Sequence, residues 1–128
     1  MRLLLDTCAF LWLAAQPEKL SETAIQAINA PENILHLSDV SIWEISLKHS
    51  TGKLPLPEPP RIWVPKQARF FHLFRVKIEP EALFKSGELP RTHQDPFDRL
   101  IAAQALNEPF HLVSPDEPFR AYGVSCIW

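Results

Sequence analysis

Glycine is nearly missing from this chain, with three residues in 128. The Gly-rich turns that cradle a nucleotide phosphate or a dinucleotide are thereby all but excluded. Cysteine is almost as scarce. Cys8 and Cys126 stand too far apart for a disulfide framework or a zinc pattern. Both sit among apolar residues, so buried reduced thiols in a cytoplasmic setting are expected. Neither sign of charge dominates: 13 Lys and Arg against 15 Asp and Glu leave a net charge of −2. No global field draws this chain to nucleic acid, and any such binding must come from a local patch. No uncharged apolar run reaches the roughly 18 residues of a membrane span. Arg2 and the leucines after it imitate a signal peptide, but Asp6 and Trp12 argue against one. A soluble protein is expected.

What is present suits one globular domain over residues 1–128. Apolar residues make up 46% and charged residues 22%, ordinary values for a chain long enough to bury one core. Short apolar runs at Leu3–Leu5, Ile34–Leu37, Phe74–Ile78, His111–Ser114 and Val124–Trp128 read as strands. Helices are predicted at Thr7–Ala15, at Glu22–Ala30 behind a Ser21 cap, and from about Val40 to Ser50, where Gly52 ends the turn. Four prolines between Lys53 and Pro60 form an extended connector, and Pro65 is expected to open a helix through Phe71. Pro80–Ser86 and Asp95-Pro96 to about Asn107 complete the helices. Alternating strands and helices argue for a parallel sheet covered on both faces.

Four carboxylates fall at the junctions of this pattern. Asp6 follows the first strand, Glu44 lies early in the helix after the second, Asp98 lies in the first turn of the Asp95 helix, and Asp116 follows the His111 strand. In open α/β sheets, ligands bind at the edge where strands end. A buried carboxylate needs a partner because desolvation costs several kcal/mol. Hard divalent cations want oxygen ligands, and Mg²⁺ keeps waters that substrate phosphates can replace. A carboxylate cluster holding one or two such ions is what metal-assisted phosphodiester hydrolysis requires. No Ser–His–Asp order competes. Local alternatives remain open at this point: a Glu44–Lys48 surface pair, an Asp95 helix cap, an Asp98 set against the helix dipole, and a turn at Asp116.

The strings around these acids are specific. Leu4-Leu-Asp-Thr-Cys-Ala-Phe-Leu-Trp, Ser41-Ile-Trp-Glu-Ile-Ser-Leu-Lys, Gly52-Lys-Leu, His93-Gln-Asp-Pro-Phe-Asp-Arg-Leu-Ile-Ala-Ala-Gln-Ala and Tyr122-Gly-Val-Ser-Cys-Ile-Trp occur in order from end to end. The chain thus resembles PIN-domain proteins, and among them the VapC-like ribonuclease toxins of bacterial type II toxin–antitoxin systems. The resemblance implies a three-layer α/β/α sandwich with a central parallel sheet. It also implies a divalent-metal-dependent endoribonuclease using Mg²⁺ or Mn²⁺ and a cognate antitoxin. The aromatic surplus leads us to expect an exposed apolar groove beside the site, or the same surface buried in a homodimer. Carried over by residue, the family's acids fall on Asp6, Glu44, Asp98 and Asp116 as metal-binding and catalytic residues, with Asp95 a secondary candidate.

Two positions depart from the subgroup. Cys8 and Glu81 stand where histidine is frequent, though neither is one of the four acids. Lys48, Arg91, His93 and Arg99 are the basic residues near the acids and the candidates for RNA contact, each against a structural pairing. His36 is expected to pack in the second strand. Trp12, Trp43 and Trp63 are expected in the core, or else in a groove for an antitoxin helix. A receiver-like phospho-accepting domain would need an acidic pair after the first strand and a lysine near the last one, and no lysine follows Lys85. A catalytically inactive PIN-like interaction module is the other alternative, and the presence of all four acids speaks against it.

Overall fold

Leu3, Leu4 and Leu5 are completely buried, and a strand buried on both sides must lie at the middle of a layered structure. The computed structural model, which describes all 128 residues, has that arrangement. Strand β1 (Arg2–Leu5) pairs in parallel with β2 (Ile34–Ser38) on one side and β4 (Phe110–Val113) on the other, so Leu4 lies opposite both His36 and Leu112. Beyond them lie β3 (Phe74–Val76) and β5 (Cys126–Ile127), also parallel, giving the order β3-β2-β1-β4-β5. Alternate residues of β1 face opposite layers. Leu3 and Leu5 pack with α1 (Thr7–Ala15), α2 (Glu22–Asn29) and α4 (Pro60–Phe70), through Phe10, Ile28, Trp63 and Val64. Leu4 packs with α5 (Pro80–Glu88), α6 (Pro96–Asn107) and α7 (Glu117–Ala121), through Ala82, Ile101 and Phe119. The expected three layers are present.

The order of strands positions the site. From β1 the chain steps outward through β2 to β3, then returns along α6 to the other side of β1 and steps outward again to β5. The reversal lies between β1 and β4. Their carboxyl ends diverge into helices on different layers and open a crevice, the position where such sheets bind ligands.

Local signals explain most boundaries. Helix α3 (Asp39–Ser50) starts at Ser38, whose Oγ accepts from the Val40 N–H at 3.0 Å. It ends on Gly52 at φ +77°, with the Gly52 N–H on the His49 carbonyl and the Lys53 N–H on that of Lys48. That paired closure needs a left-handed residue, which glycine supplies without strain. The prediction for Pro65 is overturned. Helix α4 starts at Pro60, and Pro65 sits inside it. Pro60 holds the first helical position, where its missing N–H costs nothing. One turn on, Pro65 gives up a backbone hydrogen bond, and the burial of Trp63 and Val64 keeps the helix intact. Helix α7 is absent from the sequence reading because Ser114-Pro-Asp-Glu-Pro resembles a turn. Strands β3 and β5 are shorter than predicted, at three and two residues, as befits the sheet's edges.

Candidate functional site

Asp6 continues the line of β1, its N–H donating to the Val113 carbonyl at 3.2 Å. It then becomes the N-cap of α1, Oδ1 accepting from the Ala9 N–H at 2.7 Å. The carboxyl is pushed up to about 7, chiefly by burial; Asp116 and Asp98 push it further, while the Ser114 hydroxyl and the Ala9 N–H pull it back. Two acids from distant parts of the sequence are therefore near enough to act on Asp6.

Asp116 stands at the start of α7, exposed, without capping it. Its N–H donates to Ser114 Oγ at 3.1 Å, the local turn that the sequence allowed. This leaves the Asp116 carboxylate free of the helix end.

Glu44 is 5% exposed on the inner side of α3. Its Oε2 accepts from Lys48 Nζ, so the pair suggested by spacing exists. It is not an ordinary surface pair, because Oε1 is buried and meets no donor. A lone carboxylate oxygen in that position costs free energy unless a cation or donor reaches it. Beneath it, Thr7 Oγ1 donates to Ser41 Oγ at 2.9 Å, tying the start of α1 to α3 one turn before Glu44. Ser38 Oγ donates to Gln104 Oε1, and Gln104 Nε2 donates to the Lys77 carbonyl at 3.1 Å, tying β2 to α6.

Asp98 lies in the first turn of α6. Burial pushes it up to about 6, Asp95 and Glu44 add to the rise, and His93 opposes it. His93 Nε2 lies 2.8 Å from Asp98 Oδ2. Asp95 is the α6 cap, as the spacing suggested: its Oδ1 accepts from the N–H groups of Phe97 at 2.9 Å and Asp98 at 3.4 Å. His93, Asp95 and Asp98 form a compact trio, with ligand atoms within 4.8 Å of one another. Asp6, Glu44 and Asp116 fall outside that trio and connect to it through the fields just described. Cys8 reports the same gathering from another position. Its thiol is pushed up to about 12, first by burial and then by Asp6, Asp116 and Glu44.

The basic candidates separate. Arg99 is 6% exposed, and its guanidinium donates to four backbone carbonyls and the Tyr122 hydroxyl. The structure places it in a structural pairing with the backbone, the other reading that the sequence left open. Its donors are already committed, and its neighbour Asp98 points another way along the helix. Lys48 is held by Glu44 and His93 by Asp98, while Arg91 is exposed and forms none of the ion pairs. Trp63 is core, edge-on to Phe10. Trp12 is half-buried against Trp128, and Trp43 is 50% exposed, edge-on to Phe97 at 4.7 Å. His36 packs as expected, with Nδ1 3.0 Å from the Leu3 carbonyl oxygen. Glu81 is exposed on α5. Between α3 and α4 runs a groove of about 790 Å³, lined by Leu37, Ile42, Val64, Ala68 and Leu73, with Arg61 beside them.

Sequence reasoning passed over Thr7, Ser38, Ser41, Gln104 and Ser114. Thr7, Ser41 and Ser114 carry one signal, a small polar residue within three positions of Asp6, Glu44 or Asp116, and Ser38 and Gln104 carry none. A divalent cation fits this donor set, since His93, Asp95 and Asp98 bring ligand atoms within 4.8 Å of one another, Asp6 and Asp98 are pushed well above their ordinary range, and Glu44 Oε1 lacks a donor.

Known proteins share the fold. The model of the PIN domain matches residues 3–124, and the chain belongs to the PIN-domain family. Ribonuclease VapC22 of Mycobacterium tuberculosis is 31% identical over 120 residues, spanning 93% of this chain and 90% of that protein. Among solved structures, VapBC2 from Rickettsia felis bound to a promoter DNA fragment matches at a TM-score of 0.70 and 18% identity, covering 98% of this chain and 97% of the other. DNA-bound VapBC from Salmonella typhimurium matches at 0.69 and 16%, covering 98% and 96%. At these identities, the structural matches establish the three-layer fold.

Proposed function

We propose that this chain is a divalent-metal-dependent endoribonuclease and the toxin of a toxin–antitoxin pair, with its nuclease domain spanning residues 1–128. The observation that carries the reading is Glu44: a buried carboxylate with a donorless oxygen, near Asp6 and Asp98, which burial first and neighbouring carboxylates second push up, at the switch point of a PIN-family sheet. The ribonuclease name of the Mycobacterium relative supports RNA as substrate, and the VapBC complexes support a protein partner.

Asp6, Glu44, Asp98 and Asp116 are the residues we assign to Mg²⁺ or Mn²⁺, with Asp95 in reserve. A bound ion supplies water activation and neutralises charge developing on the scissile phosphate. The chain's own residues prepare that site. Lys48 occupies one oxygen of Glu44 and leaves the other free. The imidazole of His93 fixes the Asp98 carboxylate, and the cap made by Asp95 fixes the backbone beneath it. Arg91, exposed on the loop before α6, is the cation best placed to meet an RNA phosphate. The antitoxin is proposed to lay an amphipathic segment in the α3–α4 groove. Trp43 and Leu47, both exposed on α3, are proposed to meet a second copy of the chain. No helix is long and apolar enough to cross a membrane, and two free cysteines accord with activity in the cytoplasm.

The test is cleavage of a structured RNA by purified protein with Mg²⁺ or Mn²⁺ and with EDTA. Metal-dependent cleavage lost in Asp6→Asn and Glu44→Gln supports the reading. Cleavage that persists in EDTA, or in both variants, overturns it.

A further inference from the structure

Arg99 carries a buried charge with no carboxylate partner. It takes part in none of the ion pairs, yet it is 6% exposed. A cation taken out of water persists only where dense hydrogen bonding replaces its hydration. Arg99 obtains this from the carbonyls of one stretch of chain, Ser86 to His93, and from one tyrosine. Nη2 donates to the carbonyls of Ser86 and Leu89, both at 2.8 Å. Nη1 donates to those of Pro90 at 2.8 Å and His93 at 3.1 Å, and to the Tyr122 hydroxyl at 3.3 Å. The Tyr122 hydroxyl itself lies 3.4 Å from the His93 carbonyl oxygen.

The stretch from Leu89 to Asp95 links α5 to α6 without regular structure. It has no ladder of its own to hold it, so the guanidinium does that work. The fork closes the carboxyl end of α5, where a cation is favoured by the helix dipole, and grips the loop up to His93. Just past that grip come the trio's members. The His93 side chain touches Asp98, and Asp95 caps the helix that carries Asp98. The Arg99 N–H also donates to the Asp95 carbonyl at 3.0 Å. That last bond is the helix's own, so it is the His93 end of the trio that depends on the Arg99 side chain.

We propose that Arg99 is a positioning residue for the metal centre: its guanidinium orders the α5–α6 loop and thereby sets His93 against Asp98. Lysine cannot replace it. An ammonium is a point donor, whereas the planar fork of arginine reaches several carbonyls at once. This inference rests on the assignment of Asp98 to the metal, and the experiment keeps the two separable.

Mn²⁺ binding to the full, metal-stripped protein is measured by calorimetry for the wild type, Arg99→Lys, Tyr122→Phe and Asp98→Asn. RNA cleavage is resolved into kcat and KM for the same proteins, and thermal melting is followed by circular dichroism. Loss of an interaction that supports a metal ligand costs about 10–100-fold in affinity. Arg99→Lys should weaken Mn²⁺ by that factor and lower kcat, with KM for RNA unchanged. Tyr122→Phe, which removes one hydroxyl and keeps the ring, should fold and weaken Mn²⁺ several-fold. It decides the matter if Arg99→Lys does not fold. Wild-type Mn²⁺ affinity in the folded variants overturns the inference, as does a raised KM at unchanged Mn²⁺ affinity, which would make Arg99 an RNA contact. If Asp98→Asn binds Mn²⁺ like the wild type, the metal assignment itself fails. If only Asp98→Asn weakens binding, that assignment stands and the role of Arg99 falls.

Discussion

Glu44 and Lys48 share one hydrogen bond across a turn of α3, and it satisfies only half of the carboxylate: Oε2 accepts from Nζ while Oε1, buried, accepts from nothing. The lysine lies at the surface end of the pair, partly exposed. Its pKa is raised first by the hydrogen bond it donates to Glu44 and then by the fields of Glu44, Asp95 and Asp98. Lys48 therefore acts as a resident counter-charge for a cluster of acids that is otherwise one-signed.

Removing either partner should have opposite effects on the metal-free protein. Lys48→Ala leaves a buried carboxylate without its cation and should destabilise the metal-free form. Solvent screening of the exposed lysine keeps the loss to about 1 kcal/mol. Mn²⁺ should restore more stability to this variant than to the wild type. Glu44→Gln removes a charge from a crowded cluster and should melt at or above the wild-type temperature in EDTA, while losing metal-dependent cleavage. Melting curves with EDTA and with Mn²⁺ check both. A Glu44→Gln protein that unfolds in EDTA would show Glu44 to be structural.

The two acids of Asp95-Pro-Phe-Asp98 divide between fold and chemistry. Asp95 Oδ1 is engaged in capping α6, so Asp95→Ala should cost about 0.5–2 kcal/mol of stability. Asp98 caps nothing, and Asp98→Asn should abolish cleavage at nearly unchanged melting temperature. Activity lost in Asp95→Ala at wild-type stability, with Asp98→Asn still active, would reverse the assignment.

Acids raised by burial tie metal binding to pH. Asp6 rises from 3.8 to about 7 and Asp98 from 3.8 to about 6. The folded protein holds those protons more tightly than the unfolded chain, so this contribution to stability is complete at low pH and is lost as pH rises through the folded values. Metal binding needs the deprotonated carboxylates. In EDTA, melting temperature should therefore fall from this cause as pH rises from about 4 to about 7. Rise on adding Mn²⁺ should be larger at about pH 8 than at about pH 5, with proton release on binding at the lower pH. Calorimetry in buffers of different ionisation enthalpy measures that release. Mn²⁺ binding independent of pH would remove Asp6 and Asp98 from the ligand set.

What could be read from the sequence depended on how local each signal was. Asp6 is legible because a charge inside Leu-Leu-Leu and Ala-Phe-Leu-Trp has no local purpose beyond a cap, and Gly52 because a helix ending there needs a left-handed residue. For Arg99 the sequence left RNA contact and a structural pairing open, because adjacency to Asp98 suggests a shared site. Successive helical residues diverge by about a third of a turn, and Arg99 faces α5 instead. Pro65 misled because a proline's preference for a helix start outweighs its tolerance inside one until the burial of Trp63 and Val64 is known. The polar residues under the acids, Thr7 with Ser41 and Ser38 with Gln104, join segments far apart in the chain, so only the folded arrangement reveals them.

A separate stability prediction concerns the end of α4. His72 adopts φ +55°, closing the helix as Gly52 closes α3, with the Leu73 N–H on the Ala68 carbonyl at 2.8 Å. A side chain in that region costs on the order of 1 kcal/mol, and His72 is exposed, with no hydrogen bond to compensate. His72→Gly should raise the melting temperature by a few degrees and leave cleavage unchanged. A lowered melting temperature would mean that the imidazole contributes packing beyond what its exposure suggests.

The partner prediction turns on the α3–α4 groove. Its floor is apolar and Arg61 lies at its side, which suits an amphipathic segment carrying an acidic residue near that arginine. The groove lies on α3 away from Glu44 and Lys48, since Ile42 and His49 line it while Glu44 and Lys48 serve the acids. Blocking it should therefore spare the chemistry. Ala68→Arg, placed on the half-buried wall of α4, should prevent a stable complex when the protein is co-expressed with the proposed antitoxin, sought in the adjoining reading frames. The same variant, purified alone, should cleave RNA at the wild-type rate and escape suppression by that antitoxin. Co-purification followed by cleavage assays decides this. A variant that still forms a silenced complex would move the partner's seat elsewhere, to the exposed Trp43 face or directly over the acids.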